Sequence, residues 1–100
     1  MPVAELPTDG LSMETKARFL ELQRRFASGL PGRWLEIRDA DDGRSLESAL
    51  HRLAGSAASF GFERIGRLAQ EAQALALDGS SAALMQALAA LEGEIRVVQG

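Results

Sequence analysis

The stretch that decides the fold is LHRLAGSAASFGFERIGRLAQEAQ, residues 50–73. Apolar residues recur at helical spacing on both sides of Gly61, a pattern that predicts two amphipathic helices joined by a tight turn. The first helix is expected from residue 44 or 45 to about 60, and the second from about 62 to 77. The stretch therefore predicts a helical hairpin, whose first helix carries the single histidine of the chain, His51.

The sequence before the hairpin contains the signals of two further helices. Ser12 is placed to cap a helix that ends at about residue 28. The segment SGLPG, residues 28–32, predicts a break, because glycine and proline interrupt helices. A short helix is then expected from about residue 31 to 40, and DADDG, residues 39–43, predicts a polar turn before the hairpin.

The end of the chain predicts one more helix and completes a bundle. The stop signal DGSS precedes a helix that begins after Ser80 or Ser81 as its N-cap and ends at about Val98. Residues 1–11 show no periodicity, and we expect a flexible arm there, followed by one domain over residues 12–100. Because the connections are short, neighbouring helices should run antiparallel. The predicted fold is all-α, an antiparallel up-and-down four-helix bundle with an additional N-terminal helix.

Composition agrees with this fold and excludes several functions. Of the 100 residues, 46% are apolar and only 5% aromatic, which suits closely packed helices. The chain has no cysteine, so neither a disulfide nor a thiolate metal site is possible, and we expect no metal and no cofactor. With a net charge of −3 and scattered basic residues, we expect no nucleic-acid partner. It shows neither a secretory signal nor a membrane-spanning stretch, and we expect a cytoplasmic monomer that binds no membrane.

The predicted helix presents His51 to water. At 100° per residue, His51 lies about 140° from the centre of the apolar stripe between Leu50 and Leu53. Gly55 follows one turn later on the same outer face, where glycine costs ~1 kcal/mol relative to alanine. We interpret Gly55 as a position that leaves space beside the imidazole for another protein. From these residues alone, an ordinary solvated histidine remains the alternative.

Gln73 is predicted to contact the histidine from the second helix of the hairpin. His51 and Gln73 lie at nearly equal distances from Gly61, so they reach a similar height in an antiparallel pair. An amide that bonds one ring nitrogen fixes the orientation and tautomer of the imidazole, and we expect the other nitrogen to remain a free nucleophile.

Residues 51–70, HRLAGSAASFGFERIGRLAQ, resemble the signature of histidine-containing phosphotransfer (Hpt) domains. In that signature a histidine is followed by a glycine, small residues and a second amphipathic helix. The matching positions are His51, Leu53, Gly55, Ser56, Ala57, Gly61, Ile65 and Leu68. The resemblance covers about a fifth of the chain, and the predicted helix order agrees with the four-helix bundle of the family.

The resemblance implies a function in a two-component phosphorelay. His51 would accept a phosphoryl group from an aspartyl phosphate of a response-regulator receiver domain, and pass it on or back. Nε2 would attack while Gln73 holds Nδ1, and the partner, a receiver domain or a hybrid histidine kinase, would supply Mg²⁺ and catalysis. The chain would therefore be a carrier rather than an enzyme. The residues predicted to form the receiver approach surface are Arg44, Glu47, Ser48, Arg52, Ala54, Gly55 and Ala58.

One position departs from the family pattern. The family commonly has a lysine three residues after the histidine, where this chain has Ala54. An ammonium group there would help to neutralise the phosphoryl oxygens. Arg52, Arg44 and Arg67 are the candidates to compensate, although none occupies the same position.

Two other functions compete with the carrier. The dimerisation and phosphoacceptor module of a histidine kinase usually has an acidic residue after its histidine and a proline a few positions later. Here Arg52 follows the histidine, and no proline occurs after Pro31. The second alternative is a helical adaptor or inhibitor that binds a receiver domain or a histidine kinase without transferring phosphate.

Overall fold

The computed structural model describes residues 12–79 and 81–100, which form helices and no strand. The predicted arm, residues 1–11, and the candidate cap Ser80 lie outside the described residues. The prediction of an all-helical fold is confirmed for the described part of the chain. The helices are α1 (Met13–Arg38), α2 (Gly43–Ser59), α3 (Glu63–Asp78) and α4 (Ser81–Gln99).

The predicted break at SGLPG is wrong, because α1 continues through it to Arg38. Pro31 has no backbone N–H, so the carbonyl of Ala27 loses its normal helical partner. The side-chain amide of Gln99, on α4, donates a hydrogen bond to that carbonyl instead. Leu30 is fully buried, and its packing holds this part of α1 against the bundle. The two helices predicted before the hairpin, including the additional N-terminal one, are therefore a single helix.

The hairpin begins and turns as the sequence predicts. Asp42 caps α2 by accepting a hydrogen bond of 2.7 Å from the backbone N–H of Ser45. This bond and the Ser45 hydroxyl hold the pKa of the Asp42 carboxyl below its ordinary value. Between α2 and α3, Gly61 adopts a φ of 83°, which favours glycine. Gln23 of α1 donates to the carbonyl of Phe60 at 2.7 Å and ties α1 to this turn.

The helices pack as a ring in which α1 contacts α2 and α4, and α3 contacts the same two helices. In the α2–α3 pair the backbones approach closely at Gly66, where a Cβ atom would lie 3.4 Å from the carbonyl oxygen of Ala54. No polar or charged side chain of the described residues is buried. The side chains that are most completely buried are Leu30, Leu50, Leu53, Ile65 and Leu91.

Candidate functional site

His51 lies on the outer face of α2 and is exposed. The preceding Leu50 and the following Leu53 are 0% and 1% exposed and belong to the core. Because these two buried side chains fix the rotation of α2 about its axis, His51 cannot turn toward the core. The predicted orientation of the histidine is thus the orientation in the structure.

Gln73 of α3 contacts His51, and Glu47 contacts the same amide. The Nε2 atom of Gln73 lies 3.2 Å from Nδ1 of His51 and donates to Oε2 of Glu47 at 2.5 Å. Gln73 is half-buried, so the side chain is held between the two helices rather than free in solvent. The sequence predicted the contact with Gln73 and placed Glu47 near the histidine on the approach surface, but it did not predict that Glu47 binds the Gln73 amide.

A groove between α1 and α2 opens beside the imidazole, with a volume of about 940 Å³. Three glycines line it, Gly29 and Gly32 from α1 and Gly55 from α2. A Cβ atom added at any of the three would meet nothing within 4 Å. Sequence reasoning missed Gly29 and Gly32 as groove residues, because both lie in the segment predicted as a helix break. Their separation by three residues, which places them on one helix face, was the signal that could have identified them.

Charged side chains lie along the same groove. The Nη2 atom of Arg52 is 2.6 Å from Oε1 of Glu36 on α1, and both side chains are 58% exposed. Arg33 also lines the groove, with its guanidinium 5.3 Å from the centre of the Phe26 ring. Neither Glu36 nor Arg33 is predicted from the sequence, because their proximity to His51 depends on the packing of α1 against α2.

The other residues of the predicted approach surface do not all lie together. Arg44, Ser48 and Arg52 line a depression next to the groove. Ala58 is exposed three residues after Gly55 on α2.

Two further predicted residues lie elsewhere. Ala54 is 5% exposed, so its assignment to this surface is wrong: the residue is buried, and its backbone carbonyl lies next to Gly66 of α3. Arg67, a candidate to compensate for the missing lysine, is exposed on α3 but lines neither of the two cavities that contain His51.

Metal-binding clusters and membrane-spanning helices are both absent from the described part of the chain. In residues 12–79 and 81–100, no group of three or more histidine, aspartate or glutamate side chains is placed to hold a metal ion. Within the same residues, every helix is too short or too polar to cross a membrane.

The fold and the site define a helical bundle that displays one amide-tethered histidine beside a groove lined by glycines. The sequence model of the Hpt domain matches residues 3–100, and the chain belongs to this family. Hpt domains carry phosphoryl groups on histidine in two-component signalling and interact with receiver domains and histidine kinases. No curated protein and no solved structure shows significant similarity to the chain.

Proposed function

We propose that this chain is a phosphoryl carrier in which His51 accepts a phosphoryl group from the aspartyl phosphate of a receiver domain and passes it on or back. The observation that carries the proposal is the exposed imidazole whose Nδ1 lies 3.2 Å from the Gln73 amide. A tethered ring keeps Nε2 directed toward solvent, where a partner can bring phosphorus in line. Such positioning contributes much of the rate of a transfer reaction.

The proposed reaction balances without a further reactant. The lone pair of Nε2 attacks phosphorus, an N–P bond forms, and the P–O bond to the aspartyl carboxylate breaks. The carboxylate leaves with the electron pair and remains on the receiver. Phosphoryl transfer depends mostly on alignment of the reacting atoms and on neutralisation of charge. In the proposed reaction the partner neutralises the charge with Mg²⁺ and so supplies the catalysis. The bundle supplies an oriented nucleophile and no autonomous catalysis.

The proposed docking surface is the α1–α2 groove and its rim. The absence of side chains at Gly29, Gly32 and Gly55 lets the backbone of a partner approach α2 next to the histidine. Arg52 lies on the rim, 58% exposed, and offers positive charge next to the acceptor. Arg44, Ser48 and Ala58 extend the surface along α2.

The alternative of a non-transferring adaptor or inhibitor has one observation in its favour. Ala54 stands where the family commonly has a lysine, and it is buried. A domain without that ammonium group could bind a receiver or a kinase and still transfer poorly. In either case we propose a cytoplasmic monomer formed by residues 12–100, with a receiver domain or a hybrid histidine kinase as its partner.

The experiment is incubation of the purified chain with a phosphorylated receiver domain. We expect acid-labile phosphate on the wild type and none on His51→Gln. Because His51 is exposed, the variant should unfold at the same temperature as the wild type. Gln86→Ala, at an exposed position of α4 outside the proposed docking surface, is the control and should still be labelled. Equal labelling of wild type and His51→Gln would refute the carrier, and tight receiver binding without labelling of either would establish the adaptor.

A further inference from the structure

The contact between Gln73 and His51 has a direction that Glu47 determines. One atom, Nε2 of Gln73, lies 2.5 Å from Oε2 of Glu47 and 3.2 Å from Nδ1 of His51. A carboxylate oxygen accepts hydrogen bonds and cannot donate them. The end of the Gln73 amide that faces Glu47 must therefore be the NH2 group, because a carbonyl oxygen at that distance would be repelled.

The same NH2 group decides which nitrogen of His51 bears hydrogen. One N–H of the amide is directed at Glu47, and the other is available to Nδ1. A nitrogen that faces a donor accepts, so the neutral imidazole carries its hydrogen on Nε2. This assignment differs from the expectation that Gln73 leaves Nε2 free. In the isolated bundle, the nitrogen that should attack phosphorus is the protonated one.

We propose that Glu47 is a positioning residue that acts on His51 through Gln73. It holds the imidazole in the unreactive Nε2–H tautomer until the side-chain amide of Gln73 rotates by a half-turn. The inference rests on the proposed function. After a half-turn of the amide, Nε2 releases its proton to water and Nδ1 takes one from water, because the exposed ring is in contact with solvent. Oε1 of Gln73 then accepts from Nδ1–H, and the Nε2 lone pair faces solvent. Attack then forms the N–P bond, the aspartyl carboxylate leaves with its electron pair, and the hydrogen remains on Nδ1 in its bond to Gln73.

The surroundings of Glu47 allow this change. After the half-turn, Oε1 of Gln73 would face the Glu47 carboxylate, so the carboxylate has to move away. Glu47 is only half-buried and lines an open cavity together with His51 and Arg52. A receiver that docks over His51 covers the same cavity, and a donor on its surface could draw Glu47 aside. Glu47 thereby links docking to activation of the histidine.

The test is the variant Glu47→Gln, in which position 47 can present either a donor or an acceptor. Long-range ¹H–¹⁵N spectra of the imidazole report the tautomer without any partner. We expect the Nε2–H form in the wild type and a clear increase of the Nδ1–H form in the variant. Phosphoryl transfer to His51 should become about fivefold faster, the equilibrium ratio that one net hydrogen bond supports.

Two controls separate this effect from a loss of charge or of structure. Glu71→Gln removes a carboxylate from an exposed position of α3 and should change neither the spectrum nor the rate. In a Gln73→Ala background, Glu47→Gln should have no further effect on the rate, because Glu47 acts through that amide. A structural role for Glu47 would lower thermal stability in both backgrounds and leave the tautomer unchanged.

The outcomes distinguish this inference from the proposed function. A wild-type spectrum with the Nδ1–H form, or an unchanged tautomer in Glu47→Gln, overturns the role of Glu47 even if transfer to His51 proceeds. A wild type that accepts no phosphoryl group refutes the carrier, while the spectrum still reports whether Glu47 controls the ring. Slower transfer in Glu47→Gln would also overturn the inference, because it would show that the carboxylate assists.

Discussion

The Nδ1 atom of His51 on α2 and the Nε2 atom of Gln73 on α3 lie 3.2 Å apart, although 22 positions separate the two residues in the chain. The hairpin that turns at Gly61, with its φ of 83°, brings them to one height. The turn, the half-buried amide and the exposed ring therefore form one unit. The proposed function of this unit as a tether for a phosphoryl acceptor leads to measurable consequences.

Removal of the tether should slow transfer without unfolding the domain. In Gln73→Ala the imidazole loses both the donor that holds the Nε2–H tautomer and the oxygen that orients the ring during transfer. We expect the loss of orientation to dominate, so that labelling by a phosphorylated receiver is about tenfold slower. The free energy of unfolding should fall by less than about 1 kcal/mol, since one net hydrogen bond is lost. Gln70→Ala, at an exposed position of α3, is the matched control. A large loss of thermal stability with an unchanged rate would make Gln73 structural.

Filling the groove should stabilise α2 and weaken docking. Gly55 lies inside α2 with nothing within 4 Å of an added Cβ atom, so Gly55→Gln should raise the free energy of unfolding by about 0.7 kcal/mol. The longer side chain enters the groove beside His51, and we expect receiver affinity to drop about tenfold by titration calorimetry. Gly93→Gln, equally open but on α4, should stabilise the fold and leave affinity unchanged. Equal affinity of both variants would remove our explanation of Gly55.

Arg52 should matter for transfer, and Arg67 should not. Arg52 lines both cavities that contain His51, whereas Arg67 lines neither. We expect Arg52→Ala to slow phosphoryl acceptance about fivefold, because a charge-assisted contact to the phosphoryl oxygens is lost. Stability should change by less than about 1 kcal/mol, since the pair with Glu36 is exposed. A larger effect of Arg67→Ala would place the compensating charge on α3.

The proline inside α1 should cost stability that α4 partly offsets. Pro31→Ala restores an N–H for the carbonyl of Ala27, and we expect the free energy of unfolding to rise by up to about 3 kcal/mol. Gln99→Ala should lower it by about 0.5 kcal/mol in the parent chain, since the amide that replaces the missing N–H is lost. In the Pro31→Ala background the same change should have no effect. Chemical unfolding of the parent chain, the two single variants and the double variant measures these free energies.

The Asp42 cap should make stability depend on pH in acid. The hydrogen bonds from Ser45 lower the pKa of Asp42 in the folded state, so its contribution is fully present above the ordinary value of 3.8. The contribution is lost as pH falls from there through the lower pKa of the folded state. Asp42→Asn keeps a capping oxygen but does not titrate. We expect the wild type to lose its stability advantage over this variant as the pH falls below 3.8, measured by thermal unfolding. A stability difference that stays constant with pH would contradict the lowered pKa of Asp42.

Local periodicity by itself determined much of the site. A helix places side chains every 100°, so the core leucines on either side of His51 sufficed to direct the ring outward. Equal distances from Gly61 likewise predicted the partner Gln73. These features depend on one helix or on one hairpin, and the residues that specify them are close in sequence.

Only the packing of four helices decided the rest. The buried Leu30 and the Gln99 amide support the continuity of α1. Gln99 reaches Ala27 from the far end of the chain and replaces the hydrogen bond that Pro31 cannot make. The glycines of α1 face Gly55 only because of how α1 is rotated against α2. The direction of the Gln73 amide depends on where the Glu47 carboxylate lies between two helices. Spacing along a helix encodes the direction of a side chain, but its partners across the bundle are fixed by tertiary contacts.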